Sequence, residues 1–189
     1  MTVPTSSTTT SARPEHLVDV LRATVAKDPT RAIFARRSPT GFADVTAATF
    51  AGEVSALAKG FVAAGVAAGD RVGVMSKTRY EWTLVDFALW TAGAVGVPIY
   101  ETSSPAQVAW ILGDAEAVGC VDETRGHAGR VAGVRGQLPA LQHVWTIGRG
   151  ALETVAAAGS DVADARRAER AAGLAAGSLA TLIYTSGTT

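Results

Sequence analysis

The 189 residues carry 17 Lys+Arg against 17 Asp+Glu and are 48% hydrophobic, long and apolar enough for a globular domain burying about 70% of its unfolded surface. Zero formal net charge and only three lysines (Lys27, Lys59 and Lys77) leave no basic footprint, so nucleic acid is not an expected partner. Cys120 is the sole cysteine, asparagine is absent, and His16, His127 and His143 lack metal-ligand spacing, which points to a cytoplasmic protein without disulfide, N-glycan or zinc site.

Residues 1–13 are Thr/Ser-rich, with neither a charged n-region nor an apolar run, and read as a disordered tail rather than a signal or anchor. Thr46 is placed to N-cap a helix on which Phe50, Val54, Leu57, Ala58, Phe61 and Val62 share one face, ended by Gly65 or Gly69. A short strand follows at 71–75. Thr78 and Glu81 have capping-box spacing before a helix carrying Trp82, Val85 and Leu89, which runs to about Thr91. Gly93, Gly96 and Pro98 divide the apolar stretch 84–100 into this helix and a buried strand at 95–100, which argues against a transmembrane segment.

A second capping box, Ser104 with Gln107 and Pro105 between them, opens a helix bearing Val108, Ile111 and Leu112. Strands are expected at 118–121 and 143–147, with a helix through Val131, Val134 and Leu138 between them. Residues 148–178 hold weak helical pieces near Leu152 and over 166–172, where Arg166, Arg167, Glu169 and Arg170 read as a solvated face. A last strand is expected at 179–184. The four tryptophans, Trp82, Trp90, Trp110 and Trp145, read as core; Asp86 reads as a surface residue of its helix, Cys120 as a small core hydrophobe, and the three histidines as surface or boundary residues.

Strands separated by helices require crossover connections, so the fold class is α/β with a mainly parallel sheet. Ligands in such sheets collect beyond the carboxyl ends of the strands. Thr185, Ser186, Gly187, Thr188 and Thr189 follow the last apolar run with four hydroxyls around one glycine. Glycine lets successive amides converge, and the hydroxyls add donors, so the composition suits a phosphate cradle; a plain Ser/Thr/Gly turn is the alternative. There is no Walker pattern and no G-x-G-x-x-G.

The run 184–189 resembles the opening half of the phosphate-binding signature of the AMP-forming adenylating enzymes. Gly69-Asp70-Arg71-Val72, Lys77-Thr78-Arg79-Tyr80-Glu81-Trp82 and the segment 97–105 (VPIYETSSP) support it, the last being similar to the long-chain fatty acyl-CoA synthetase branch. The resemblance covers about residues 16–189 and is weakest over 148–178. It implies a two-step ligase using fatty acid, ATP and CoA with Mg²⁺, in which residues 185–189 hold the β- and γ-phosphates, Thr188 and Ser186 foremost.

It also implies that the adenine pocket, metal-binding Glu, ribose-binding Asp and catalytic lysine lie beyond Thr189, so this stretch contains no catalytic residue and no metal ligand. Residues 14–189 are then an incomplete amino-terminal α/β subdomain cut within the phosphate loop. That subdomain is expected to be inactive alone and to partner the remainder of the same enzyme, in the cytoplasm or peripherally at a membrane. Two alternatives stay open: adenylation of another carboxylic acid, or a non-catalytic binding module of the same fold.

Overall fold

The computed structural model describes residues 16–185; the expected tail at 1–13 lies outside them. Helix α1 (Leu17–Lys27) precedes a hairpin of β1 (Ala32–Ser38) and β2 (Gly41–Thr46), which pair antiparallel and stand apart from the main sheet. The alternation that would announce this hairpin is broken. A register irregularity between Ala32 and Phe34 leaves the neighbours Ile33 and Phe34 both half-buried, so no period-2 pattern survives in the text.

The remaining elements alternate as expected: α2 (Ala47–Ala63), β3 (Arg71–Met75), α3 (Tyr80–Ala92), β4 (Val95–Ile99), α4 (Pro105–Asp114), β5 (Gly119–Asp122), α5 (Arg125–Val134), β6 (His143–Thr146), α6 (Ala151–Ala158) and α7 (Asp164–Ala172). Strands β3 to β6 form one parallel sheet in the order β4-β3-β5-β6. Helices cover both faces. Val72, Val74, Val121 and Trp145 pack with Phe50, Leu57, Phe61, Val85 and Leu89 of α2 and α3. Met75, Val97, Ile99 and Cys120 pack with Val108, Leu112 and Val131 of α4 and α5. Among the described residues, no helix is long and apolar enough to cross a membrane.

Local signals explain the helix boundaries. The Thr46 hydroxyl accepts from the Thr49 amide, α2 gives way to Gly65 at φ +91°, and the Ser104/Gln107 capping box is complete. The Thr78 cap does not form. Arg79 occupies the N-cap position of α3, and its guanidinium takes the Glu81 carboxylate at 2.6 Å, leaving that side chain unable to close a box.

Asp86 departs from expectation as well. It is only 4% exposed, and lies over the sheet where a Cβ at Gly96 would come within 3.1 Å of its Oδ1, which has no hydrogen-bond partner among the described residues. Burial pushes its pKa up to about 7. Because the folded state holds this proton more tightly than the unfolded chain, the resulting stability is full below about pH 4 and is lost as pH rises through about 7. Asp86→Asn needs no proton to stay neutral. It is expected to raise stability by about 2 kcal/mol at pH 8, or roughly 4–8 °C in Tm, and to change little at pH 4. Thermal melts at the two pH values check this; an equal effect at both contradicts it.

The expected strand at 179–184 shortens to a single bridge, Gly96 with Thr181. The Gly96 amide donates to Ala180 O (3.1 Å) and Gly96 O accepts from the Leu182 amide (2.9 Å). The next donor in this parallel ladder belongs to position 98, which is proline and has no N–H to offer Leu182. Pairing therefore stops there.

Candidate functional site at the carboxyl edge of the sheet

The chain direction fixes where the terminal segment goes. Thr181 sits beside Gly96 in parallel sense, so the chain after it heads toward the carboxyl end of β4. Thr185 is exposed; Ser186, Gly187, Thr188 and Thr189 lie outside the described residues. A cleft of ≈ 540 Å³ opens at this edge between Lys77 and Thr78 after β3, Pro98 and Tyr100 at the end of β4, and Ile183 and Tyr184.

Three attachments hold residues 180–184. The Trp90 Nε1–H donates to Ala180 O at 2.8 Å, the Gly96 bridge takes the backbone, and the Tyr184 hydroxyl donates to Asp114 Oδ2 at 2.6 Å. The Tyr184 ring meets Trp110 edge-on, with centroids 5.1 Å apart. Burial, reinforced by the bond to Asp114, pushes the Tyr184 hydroxyl up to about 12, so it remains a donor at neutral pH. Trp110 is 61% exposed, and Trp90 is only half-buried, so the expectation that the tryptophans are core holds fully for Trp145 alone. A tryptophan on the outer side of α4 gives no sequence signal of its partner 74 residues on.

The loops beneath the cleft are tied together by Glu123. Its Oε2 accepts from the Lys77 amide (3.0 Å), its Oε1 from Arg79 Nη1 (3.3 Å), and its backbone links Met75 O to the Gly148 amide. Burial acts to raise the Glu123 pKa, but the Lys77 amide and Arg79 outweigh it and hold the carboxyl below its ordinary value. This knot joins the loops after β3, β5 and β6 where the strand order reverses, between β3 and β5. On the far side, Arg130 Nη1 donates to Glu101 O (2.6 Å) and Ser103 O (3.2 Å), fixing the loop after β4.

Asp122, next to Glu123, is fully buried, and neither carboxylate oxygen is within hydrogen-bond geometry of a partner among the described residues. Burial pushes it up to about 6, against the opposite pull of Thr146 and Arg149. His127, expected at the surface or boundary, is 9% exposed. Cys120 is fully buried, as expected of a core hydrophobe, and burial pushes its thiol well above its ordinary range.

Among the described residues, no cluster of three or more His, Cys, Asp or Glu is arranged to hold a metal.

The fold agrees with what the chain is similar to. It is 48% identical over 165 residues to the long-chain-fatty-acid–CoA ligase FadD15 of Mycobacterium bovis, covering 86% of this chain and 28% of that protein. The protein of the same name from Mycobacterium tuberculosis is 47% identical over the same shares. The chain thus spans about 28% of the length of the curated relatives it matches. Among solved structures, a long-chain-fatty-acid–CoA ligase from Archaeoglobus fulgidus superposes with a TM-score of 0.67 at 22% identity, over 79% of this chain and 31% of that one, a likeness of fold. Residues 21–189 match the family described as AMP-binding enzyme, and the chain belongs to that family.

Proposed function

We propose that this chain is the amino-terminal α/β part of an ATP-dependent long-chain fatty acid–CoA ligase acting in the cytoplasm, with residues 185–189 receiving the triphosphate of ATP. The observation that carries the reading is the 48% identity over 165 residues to a protein named for that activity. The course of residues 181–185 toward the carboxyl edge supports it.

In the proposed reaction a fatty acid carboxylate oxygen attacks the α-phosphorus of ATP. Pyrophosphate leaves and a mixed acyl-phosphate anhydride forms. The CoA thiol, losing its proton, then attacks the acyl carbon and expels AMP, forming the thioester. Little covalent work falls to the protein in the first step. Its part is to hold the β- and γ-phosphates in line for departure and to meet the charge that builds on them. Thr185, Ser186, Gly187, Thr188 and Thr189 are assigned that role, through backbone amides and the Ser186 and Thr188 hydroxyls. Magnesium would balance phosphate charge; no step here is routed through it.

The test is a chimera in which this chain replaces the matching segment of the M. bovis relative. The chimera is expected to catalyse fatty-acid-dependent ATP–pyrophosphate exchange, whereas the 189-residue chain alone forms no adenylate. Exchange with an aromatic acid or amino acid but no long-chain acid moves the assignment to another carboxylate. A folded chimera inert toward every acid tested contradicts it.

A further inference from the structure

The point at which the chain leaves the sheet is set by two features that the reaction itself does not require. Pro98 withholds the N–H that would continue the ladder onto Leu182 O, and no hydrogen bond joins the Tyr184 amide to Pro98 O. Beyond the Leu182 amide, no ladder hydrogen bond joins the described segment to the sheet. The described attachment that replaces the ladder is a side-chain one: Tyr184 turns back onto α4, where Asp114 accepts its hydroxyl and Trp110, one helical turn earlier on the same face, meets its ring.

Both α4 residues are solvent-exposed. Tyr184 and Leu182 pack against the cluster beneath α4, while Ile183, between them, is 66% exposed at the cleft.

We propose that Pro98 and the Asp114–Tyr184–Trp110 clamp are a positioning device that fixes where the hydroxyl loop begins and which way it faces. This rests on the phosphate reading of residues 185–189. Pro98 ends the ladder at Leu182, and the clamp then fixes Tyr184, two residues on. Asp114 acts through Tyr184 and touches no nucleotide.

Two readouts test it. The first is amide hydrogen exchange on the 189-residue chain. Asp114→Ala is expected to speed exchange at Leu182, whose amide is bonded to Gly96 O, by roughly 10-fold, the loss of one charge-assisted hydrogen bond at the end of that segment, with Val72 and Val74 unchanged. Asp114→Asn, whose amide oxygen still accepts, is expected to restore protection. Pro98→Val supplies the missing donor and is expected to slow exchange at Tyr184 by letting its amide pair with residue 98.

The second readout is ATP–pyrophosphate exchange by the chimera. Asp114→Ala is expected to raise KM for ATP roughly 5- to 10-fold, leave KM for the fatty acid unchanged, and be rescued by Asp114→Asn. A merely structural role would instead lower the active fraction, reducing kcat with both KM values unmoved. Unchanged amide exchange in Asp114→Ala overturns the clamp, and altered amide exchange with an unchanged KM for ATP overturns its positioning role. A parent chimera with no exchange activity overturns the ligase reading, and the positioning role with it, while amide exchange still decides the clamp.

Discussion

In the chimera, replacing Ser186 and Thr188 together by alanine is expected to lower fatty-acid-dependent ATP–pyrophosphate exchange by roughly 10²–10³-fold at subsaturating ATP. Each hydroxyl is assigned a hydrogen bond to a phosphate oxygen that gains charge as pyrophosphate departs. A fixed donor aimed at developing charge is worth most in the transition state, so kcat is expected to fall along with kcat/KM. The backbone amides of 185–189 remain, which leaves a residual rate above that without protein. The assigned role concerns the triphosphate alone, so KM for the fatty acid is expected to stay within about 2-fold. Initial-rate exchange at varied ATP and varied acid separates these terms. A loss below about 5-fold removes the hydroxyls from the phosphate site.

The largest effect on folding is expected where α2 and α6 touch. A Cβ at Gly60 would overlap the Val155 carbonyl, and one at Gly159 would run into the Lys59–Gly60 backbone. Both obstacles are main chain, so no rotamer change relieves them, and the helices must separate over a contact that includes Leu57, Phe61, Leu152 and Val155. Gly60→Val is therefore expected to cost about 3 kcal/mol or more and to lower Tm by roughly 6–12 °C. Gly52, on the solvent side of the same helix, has open space around it, and Gly52→Ala is expected to be neutral or to stabilise by up to about 1 kcal/mol. Thermal unfolding followed by circular dichroism compares the two. Equal melting temperatures would mean that the helices do not meet backbone to backbone.

The elements that were legible in the text are those whose signals are local. Thr46 and Ser104 cap the helices they precede, β3 spans the expected residues, and β5 and β6 fall within one residue of expectation at each end, because buried parallel strands between turn residues have no competing partner for their apolar side chains. The failures have separate physical causes. Thr78 lost its capping role to an ion pair one residue later, between Arg79 and Glu81. The hairpin of β1 and β2 carries a bulge that mixes its faces. Residues 179–184 have strand composition, yet whether they pair depends on Pro98, more than 80 residues earlier, so composition alone overstates the strand.

At the site the division is similar. The proposal for residues 185–189 draws on composition, since glycine and hydroxyl residues suit anion binding, and on the parallel course of residues 181–185 toward the carboxyl edge. The residues that hold that edge could not be read from composition. Glu123 joins three loops, Arg130 fixes a fourth, and Asp114 holds Tyr184 from 70 positions away. Each is an ordinary charged residue on a helix or loop, with nothing in its own neighbourhood naming its partner. Asp86 reads as a surface residue for the same reason; its burial arises from packing of whole layers.

The most direct measurement is an experimental structure of the chimera with a non-hydrolysable ATP analogue. The account predicts the β- and γ-phosphates within hydrogen-bonding distance of the amides and hydroxyls of residues 185–189, beyond the carboxyl end of β4, with Tyr184 still bonded to Asp114. Phosphates seated away from that edge, or residues 185–189 turned from them into the interior, would contradict it.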